Sequence, residues 1–321
     1  MKVSVVTPNY NGKQFLKLYF DSLNNNKEYI GEVILIDNGS SDDSVEFIED
    51  YSKNLEFPVI VIKNNENVGF AKAVNQGILK AKYDYIFSLN NDTEVEKGSV
   101  KALINLISSD NNIFSVASKM VQFSNKNLID DAGDEYNILA WTKKTGENQP
   151  LKNYDEVYEI FSSCAGASMY NKSILNKIGL FDENFFAYME DVDLSYRAKI
   201  NGYKNLFCPD SVVYHIGSAT SGSRYNDFKV KLAARNNVWT VYKNFPIPQK
   251  IINFIFLFLG FLIKYLFFVK KGFGKTYLTG IKEGIKTRDK INKVKFDSKN
   301  TKNYFRIEWK LIVNTIKFLK K

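Results

Sequence analysis

Residues 3–12 read Val3-Ser4-Val5-Val6-Thr7-Pro8-Asn9-Tyr10-Asn11-Gly12, an apolar run of strand length that stops at polar, turn-forming residues. The spacing predicts a strand over 2–7 and a helix over 12–25. The same alternation then recurs. Residues 33–37 form a buried-type strand, Ser40-Ser41-Asp42-Asp43 is a cluster of helix-capping residues, and a helix follows over 44–51. A third strand is expected over 59–63, a third helix over 70–81, and a fourth strand over 85–90 that ends in Asn90-Asn91-Asp92. Strands alternating with helices imply right-handed crossovers, hence an α/β fold with a mostly parallel central sheet. Such sheets bind ligands beyond the carboxyl ends of their strands, which singles out Tyr10, Asp37 and residues 90–92.

Outside this frame the pattern weakens. Residues 113–170 carry no strong period and read as a mixed β region. Helices are expected over 173–178 and 190–201, and two short strands over 204–207 and 211–215. The chain has 321 residues, 45% hydrophobic and 25% charged, so it can build a sizeable core and is not disordered. Its two cysteines, Cys164 and Cys208, lie 44 positions apart with no CxxC, which excludes a disulfide scaffold and a thiolate zinc site. The single histidine, His215, excludes any site that needs two imidazoles. There is no GxxxxGK[ST], and no GxGxxG follows the first strand. Bound phosphates would therefore need a cation or basic side chains.

The chemistry-bearing residues each have a plain structural alternative. Asn90-Asn91-Asp92 can hold a hard cation through its carboxylate, or simply form a turn. Glu190-Asp191-Val192-Asp193 crowds three acids at a helix start. They can raise one another's pKa and supply a general base, or serve the helix dipole and an Asp193–Arg197 pair. His215 is a strand-end ligand or a satisfied interior histidine. Cys164, in Ser162-Ser163-Cys164-Ala165-Gly166-Ala167, is a nucleophile or a mark of close approach by a ligand.

The order of the motifs decides between these readings. Val3–Gly12 is followed by Ile36-Asp37-Asn38-Gly39-Ser40-Ser41-Asp42, Asn67-Val68-Gly69-Phe70-Ala71 and Leu89-Asn90-Asn91-Asp92. Gly179-Leu180-Phe181-Asp182-Glu183 and Glu190-Asp191-Val192-Asp193-Leu194 with Arg197 come next. Over roughly residues 1–240 the chain resembles the inverting glycosyltransferases of family 2, in the branch of bacterial rhamnosyltransferases and related surface-polysaccharide enzymes. The resemblance implies a GT-A fold over 1–245, with a nucleotide-binding half to about 110 and an acceptor half from about 111. It implies a nucleoside-diphosphate sugar donor, a glycan or lipid-linked acceptor, and Mg²⁺ or Mn²⁺. By the same resemblance Pro8, Tyr10, Asp37, Asn67 and Gly69 face the nucleotide, with Lys72 and Asn91 beside it. Ala165 and Gly166 floor the sugar site, Asp92 and His215 hold the metal, and Asp191 is the catalytic base with Glu190 next to it. The family's DxD reads Asn-Asn-Asp here and lacks its first carboxylate. Competing expectations are a sugar nucleotidyltransferase and a non-catalytic, basic membrane- or nucleic-acid-binding protein.

The remaining residues, 246–321, read as a basic helical region. Residues 264–321 hold 17 Lys+Arg and 4 Asp+Glu, a balance of +13, whereas the rest of the chain sums to −4. Just upstream, residues 251–269 carry one charge in 19 positions; as a helix they would extend about 28 Å. Asn253, Gly260, Lys264 and Lys271 fall within about 40° of one another on that helix, a narrow polar stripe. The segment reads as a helix lying in a membrane interface, a membrane span, or a core helix with a solvated edge. The lysines interleaved with Phe273, Tyr277, Phe305, Trp309 and Phe318 suit an anionic lipid surface rather than nucleic acid. With no signal-peptide pattern at the N-terminus, a cytoplasmic protein, peripheral on the inner face of the membrane, is expected.

Overall fold

The computed structural model describes residues 1–217 and 225–319. Strand β1 (Val3–Asn9) leads through helix α1 (Lys13–Asn24) to β2 (Ile30–Asp37), and α2 (Ser44–Tyr51) leads to β3 (Val59–Lys63). Helix α3 (Phe70–Lys80) returns the chain to β4 (Tyr85–Leu89). Strands β3, β2, β1 and β4 lie side by side in that order, all parallel. The alternation read from the sequence is therefore realised. β2 starts earlier than the apolar run suggests, because buried Glu32 is satisfied by the Ser4 hydroxyl and the Lys82 N–H, each at 2.7 Å.

The second half is built around β6 (Ile113–Gln122), which follows β5 (Thr93–Val95) and helix α4 (Ser99–Ile107). Short strands β7 (Ile129–Asp131), β8 (Asp134–Tyr136), β9 (Thr142–Lys144) and β10 (Tyr158–Ile160) come next. They precede β11 (Ala167–Asn171), α5 (Lys172–Ile178), α6 (Glu190–Ile200) and β12 (Lys204–His215). β11 inserts antiparallel between β4 and β6, and β12 runs parallel to β6. Six of the sheet's ten strands (β1, β2, β3, β4, β6 and β12) thus point one way, and β8–β9 forms a separate hairpin. The two short strands expected over 204–215 are one strand. Proline 209 has no N–H to give the ladder, so the pairing with β6 slips between Cys208 and Val212 instead of ending.

Helices α7 (Asp227–Asn244), α8 (Ile247–Ile252), α9 (Phe254–Lys270), α10 (Gly274–Lys286) and α11 (Thr301–Leu319) complete the chain. They do not stand apart from the sheet. Leu257, Tyr304, Ile307 and Leu311 share one apolar cluster with Tyr136, Phe161, Val192 and Tyr196. Helix α9 packs through Leu257, Phe261, Tyr265 and Phe268 together with part of its polar stripe, and leaves the rest of its apolar surface outside, which departs from the core reading of residues 251–269. Asn253 and Gly260 are buried, and a Cβ on Gly260 would lie 2.1 Å from the Leu139 carbonyl oxygen. Among the described residues no helix is long and apolar enough to cross a membrane.

Candidate active site

The nucleotide end of the site is a mesh of short polar side chains. β1 and β2 pair so that Asn9 lies opposite Asp37. Asn9 Nδ2 donates to Asp37 Oδ1 at 2.9 Å, and Asn91 Nδ2 donates to Asn9 Oδ1 at 2.6 Å. One hydrogen-bonded chain therefore ties the ends of β1, β2 and β4. Gly12 is required there, since a Cβ would fall 2.0 Å from Asn91 Nδ2. Pro8 sits one residue before the end of β1, and Tyr10, just after it, is exposed. Asn67 Oδ1 accepts from the Asn38 side chain and the Gly69 N–H, both at 3.0 Å. Gly69 has φ +89 and lies against the Phe186 ring, so the turn into α3 tolerates no side chain. Lys72 is exposed on the first turn of α3.

The second corner joins Asp92 to His215. β5 and β12 pair His215 with Thr93, which brings Asp92 Oδ2 to 3.6 Å from His215 Nε2. The other ring nitrogen, Nδ1, is 2.7 Å from Asp130 Oδ2, and Lys144 Nζ is 3.1 Å from Asp130 Oδ1. Burial works against the charge on both partners of the His215–Asp130 pair. The hydrogen bond overrides it, holding Asp130 down to about 2 and lifting His215 to about 9. An imidazole fixed at one nitrogen by a carboxylate, with its other nitrogen turned to a second carboxylate, is the arrangement of metal-binding histidines. Among the described residues no group of three potential ligands gathers. Asp92 and His215 could hold a cation only if its other ligands came from diphosphate oxygens and water.

The third corner is the start of α6, where the three clustered acids part company. Asp193 is fully buried; burial raises its pKa, but Arg197 at 3.0 Å and Lys243 at 2.9 Å hold it below the ordinary value. It is structural. Arg197 also donates to the carbonyls of Ile178, Gly179 and Leu180, and Lys243 reaches Asp182 at 2.7 Å. The Gly179–Glu183 motif thus braces α6. Glu190 is buried, its Oε2 has no partner, and burial and Asp191 push its pKa well up. Asp191 is half-buried. Burial raises it to about 6, moderated by the N–H groups of Val192, of Asp191 itself and of Ala165. Phe186, Tyr188 and Met189 have φ of +66, +68 and +70, so the loop that delivers these acids is strained, as functional loops are.

Ala165 and Gly166 lie against the end of β4: the Ala165 carbonyl accepts from the Ser88 hydroxyl at 2.6 Å and the Gly166 carbonyl accepts the Asn90 N–H at 2.8 Å. The Cys164 thiol beside them is held well above its ordinary value by burial and by Asp131, Asp134 and Asp191, which removes the nucleophile reading.

Sequence reasoning missed the acids on β7 and β8. Asp131 is buried with one oxygen bonded to the Gly133 N–H at 2.7 Å and the other unpartnered; burial lifts it to about 6. Burial also pushes Asp134 well up, with Asp131 and Asp191 adding to the effect. The signal was present: Leu128-Ile129-Asp130-Asp131-Ala132-Gly133-Asp134 sets three carboxylates among apolar and small residues.

A mostly parallel sheet of this order, with one antiparallel strand inserted between its halves and helices on it, is a fold of the GT-A type. Residues 4–179 match the model of glycosyl transferase family 2, and the chain belongs to that family. It is 26% identical over 192 residues to the poly-beta-1,6-N-acetyl-D-glucosamine synthase of Staphylococcus aureus, covering 60% of this chain and 44% of that one. The chain therefore spans less than half the length of these curated relatives. Among solved structures it is similar to GalNAc-T7 with UDP, GalNAc and Mn²⁺, with a TM-score of 0.62 and 23% identity over 75% of this chain and 47% of that one. It is also similar to S. aureus TarS 1-349 in complex with UDP-GlcNAc, with a TM-score of 0.55 and 17% identity over 80% and 70% of the two chains. A mannosyltransferase of Pyrobaculum calidifontis in complex with GDP-Man and Mn²⁺ gives a TM-score of 0.55 at 13% identity, over 88% and 84%. At these identities the structures support the fold alone.

Proposed function

We propose that the protein transfers a sugar from a nucleoside-diphosphate donor to a hydroxyl of a glycan or lipid-linked acceptor, with inversion, in surface-polysaccharide synthesis. The observation that carries this reading is the joining of the strand ends: Asn91 donates to Asn9 and Asn9 to Asp37, and Asp92, next to Asn91, lies 3.6 Å from His215. The nucleotide's base and ribose are assigned to Pro8, Tyr10, Asp37, Asn67 and Gly69. Asp92 and His215 would hold Mg²⁺ or Mn²⁺, which when bound neutralises charge on the departing nucleoside diphosphate.

Asp191 accepts the proton of the acceptor hydroxyl as that oxygen attacks the anomeric carbon opposite the leaving group. With a pKa near 6 it is ionised at neutral pH yet still basic. Burial and the neighbouring Asp191 both favour the neutral form of Glu190. A single displacement needs no enzyme nucleophile. The GT2 relatives named above include a polysaccharide synthase, and the solved neighbours were obtained with UDP or GDP donors; both support this class of donor and product.

The test is a panel of UDP-, GDP- and dTDP-sugars with Mn²⁺ and polyprenyl-linked or oligosaccharide acceptors, read as nucleoside-diphosphate release. Acceptor-stimulated release supports transfer. Pyrophosphate release instead would point to nucleotidyl transfer, and release of neither would refute the proposal. We place the body on the cytoplasmic face of the membrane, where a lipid-linked acceptor is presented.

A further inference from the structure

Among the described residues, the outer face of α8 and α9 is left largely uncovered; only Tyr225 meets its Phe267 ring. Twelve large apolar residues between Ile251 and Val269 are 38–70% exposed, among them Ile251 (70%), Phe254 (67%), Ile255 (66%) and Phe258 (60%). Their combined exposed area is on the order of 1,000 Å², above the few hundred that a soluble monomer shows as one patch. Part of the polar stripe is turned inward. Asn253 donates to Glu308 at 2.9 Å, the Gly260 carbonyl accepts from Trp141 Nε1 at 3.0 Å, and Lys264 lies over the Trp141 ring. With Leu257, Phe261, Tyr265 and Phe268 packed beside these residues, the helix lies flat on the body and shows its remaining apolar side outward.

Helix α11 packs by Tyr304, Ile307 and Leu311 and leaves a second apolar stripe outside. Glu308 faces α8 and α9, whereas Phe305 (72%), Trp309 (68%), Ile316 (48%) and Leu319 (73%) form an exposed stripe at helical spacing. Exposed Lys270, Lys271 and Lys275 flank the end of α9, within the segment of balance +13.

We propose that α8, α9 and α11 form an in-plane anchor on an anionic bilayer, with the apolar stripes inserted and the flanking lysines on the lipid phosphates. Charge complementarity selects this occupant. A second copy of the chain on the same face would set one +13 segment against another, whereas an anionic leaflet attracts each nearby lysine. The inward-facing Asn253, Gly260 and Lys264 exclude a span, because crossing would strip the helix from the partners that satisfy them. The anchor also lies on the acceptor half. Trp141 and Leu139, against which α9 packs, belong to the β8–β9 hairpin that begins at Asp134. The inference concerns the surface and does not depend on the catalytic reading.

The experiment uses the full chain with phosphatidylcholine vesicles, with and without phosphatidylglycerol. Co-sedimentation is expected to be at least about tenfold stronger on the anionic vesicles and partly reversed by salt. Trp309 fluorescence should be quenched by brominated lipid, and Trp309→Phe should remove most of that quenching. The double variant Phe254→Glu/Phe258→Glu changes exposed side chains, so its circular dichroism and melting should match the parent while vesicle binding falls at least about tenfold. Indifference to both vesicles, or equal binding to both, overturns the proposal. Vesicle-independent self-association that the same double variant abolishes overturns it in favour of a dimer surface.

Discussion

His215 Nδ1 lies 2.7 Å from Asp130 Oδ2, and that contact fixes which ring nitrogen is left for Asp92. On the proposed reading Asp130 positions His215 for the cation. Replacing Asp130 with Asn keeps the shape but no longer fixes the tautomer. The expected result is a 10–100-fold weaker Mn²⁺ requirement curve, with turnover at saturating metal changed much less. A metal titration of activity in each protein checks this, and an unchanged half-saturation would show that Asp130 serves only Lys144.

Asp92 is the only carboxylate in Asn90-Asn91-Asp92, and it is held by β5 against β12. Asp92→Ala and chelation by EDTA should each remove most activity. Because both act through one cation, their effects should not add. Full activity in EDTA would mean that basic side chains carry the diphosphate charge instead.

Burial places Asp191 near 6, so the pH profile follows with a definite sign. The base works when deprotonated; activity should therefore rise through about pH 6 and fall as acid protonates the carboxyl. In stability the sign is opposite. A carboxyl whose folded pKa is raised favours the native state at low pH, and that contribution is lost as pH climbs through about 6. Asp191→Asn should cut transfer by at least about 10² while donor binding persists, and the acid limb should vanish with it. Near-normal turnover of the folded variant would remove Asp191 from the role.

The first four strands were legible because each is a short apolar run closed by Asn, Asp, Gly or Pro, and short parallel strands announce themselves that way. Helix α7 was not legible. It buries Asn236, Asn237, Thr240, Lys243 and Asn244 along with Val230, Leu232, Ala234 and Trp239, so polar residues interrupt its inward face and the apolar period is lost. The partners explain the burial: Asn236 donates to the carbonyls of Phe185, Ala187 and Tyr188, and Lys243 reaches Asp182 and Asp193. Helix α4 was not read either, although Val100, Leu103, Ile104 and Ile107 keep helical spacing. At the site, the motifs located Asp92, Asp191 and His215 in the chain, but Asp130, Asp131 and Asp134 join them only through the pairing of β6 with β7 and the turn at Gly133. On α9 the polar stripe was seen, but its direction depends on Trp141 and Glu308, far away in sequence. Two aromatics expected at a lipid surface are instead packed: Tyr277 is buried, and Phe318 meets the Trp141 ring.

The final prediction concerns Arg197, which no substrate needs to touch. Its guanidinium satisfies Asp193 and three successive carbonyls, Ile178 to Leu180, with both members of the ion pair almost wholly buried. Arg197→Ala removes one partner of a buried pair and leaves acceptors unpaired, a change that costs about 3–5 kcal/mol. Lys243 remains on Asp193, so the lower part of that range is expected. Arg197→Lys should recover only part of the loss, because a single ammonium cannot reach the carboxylate and the three carbonyls at once. Chemical denaturation of the three proteins at pH 7 measures the differences. A loss of activity without loss of stability would instead place Arg197 in the binding machinery, contrary to the bracing role assigned to it.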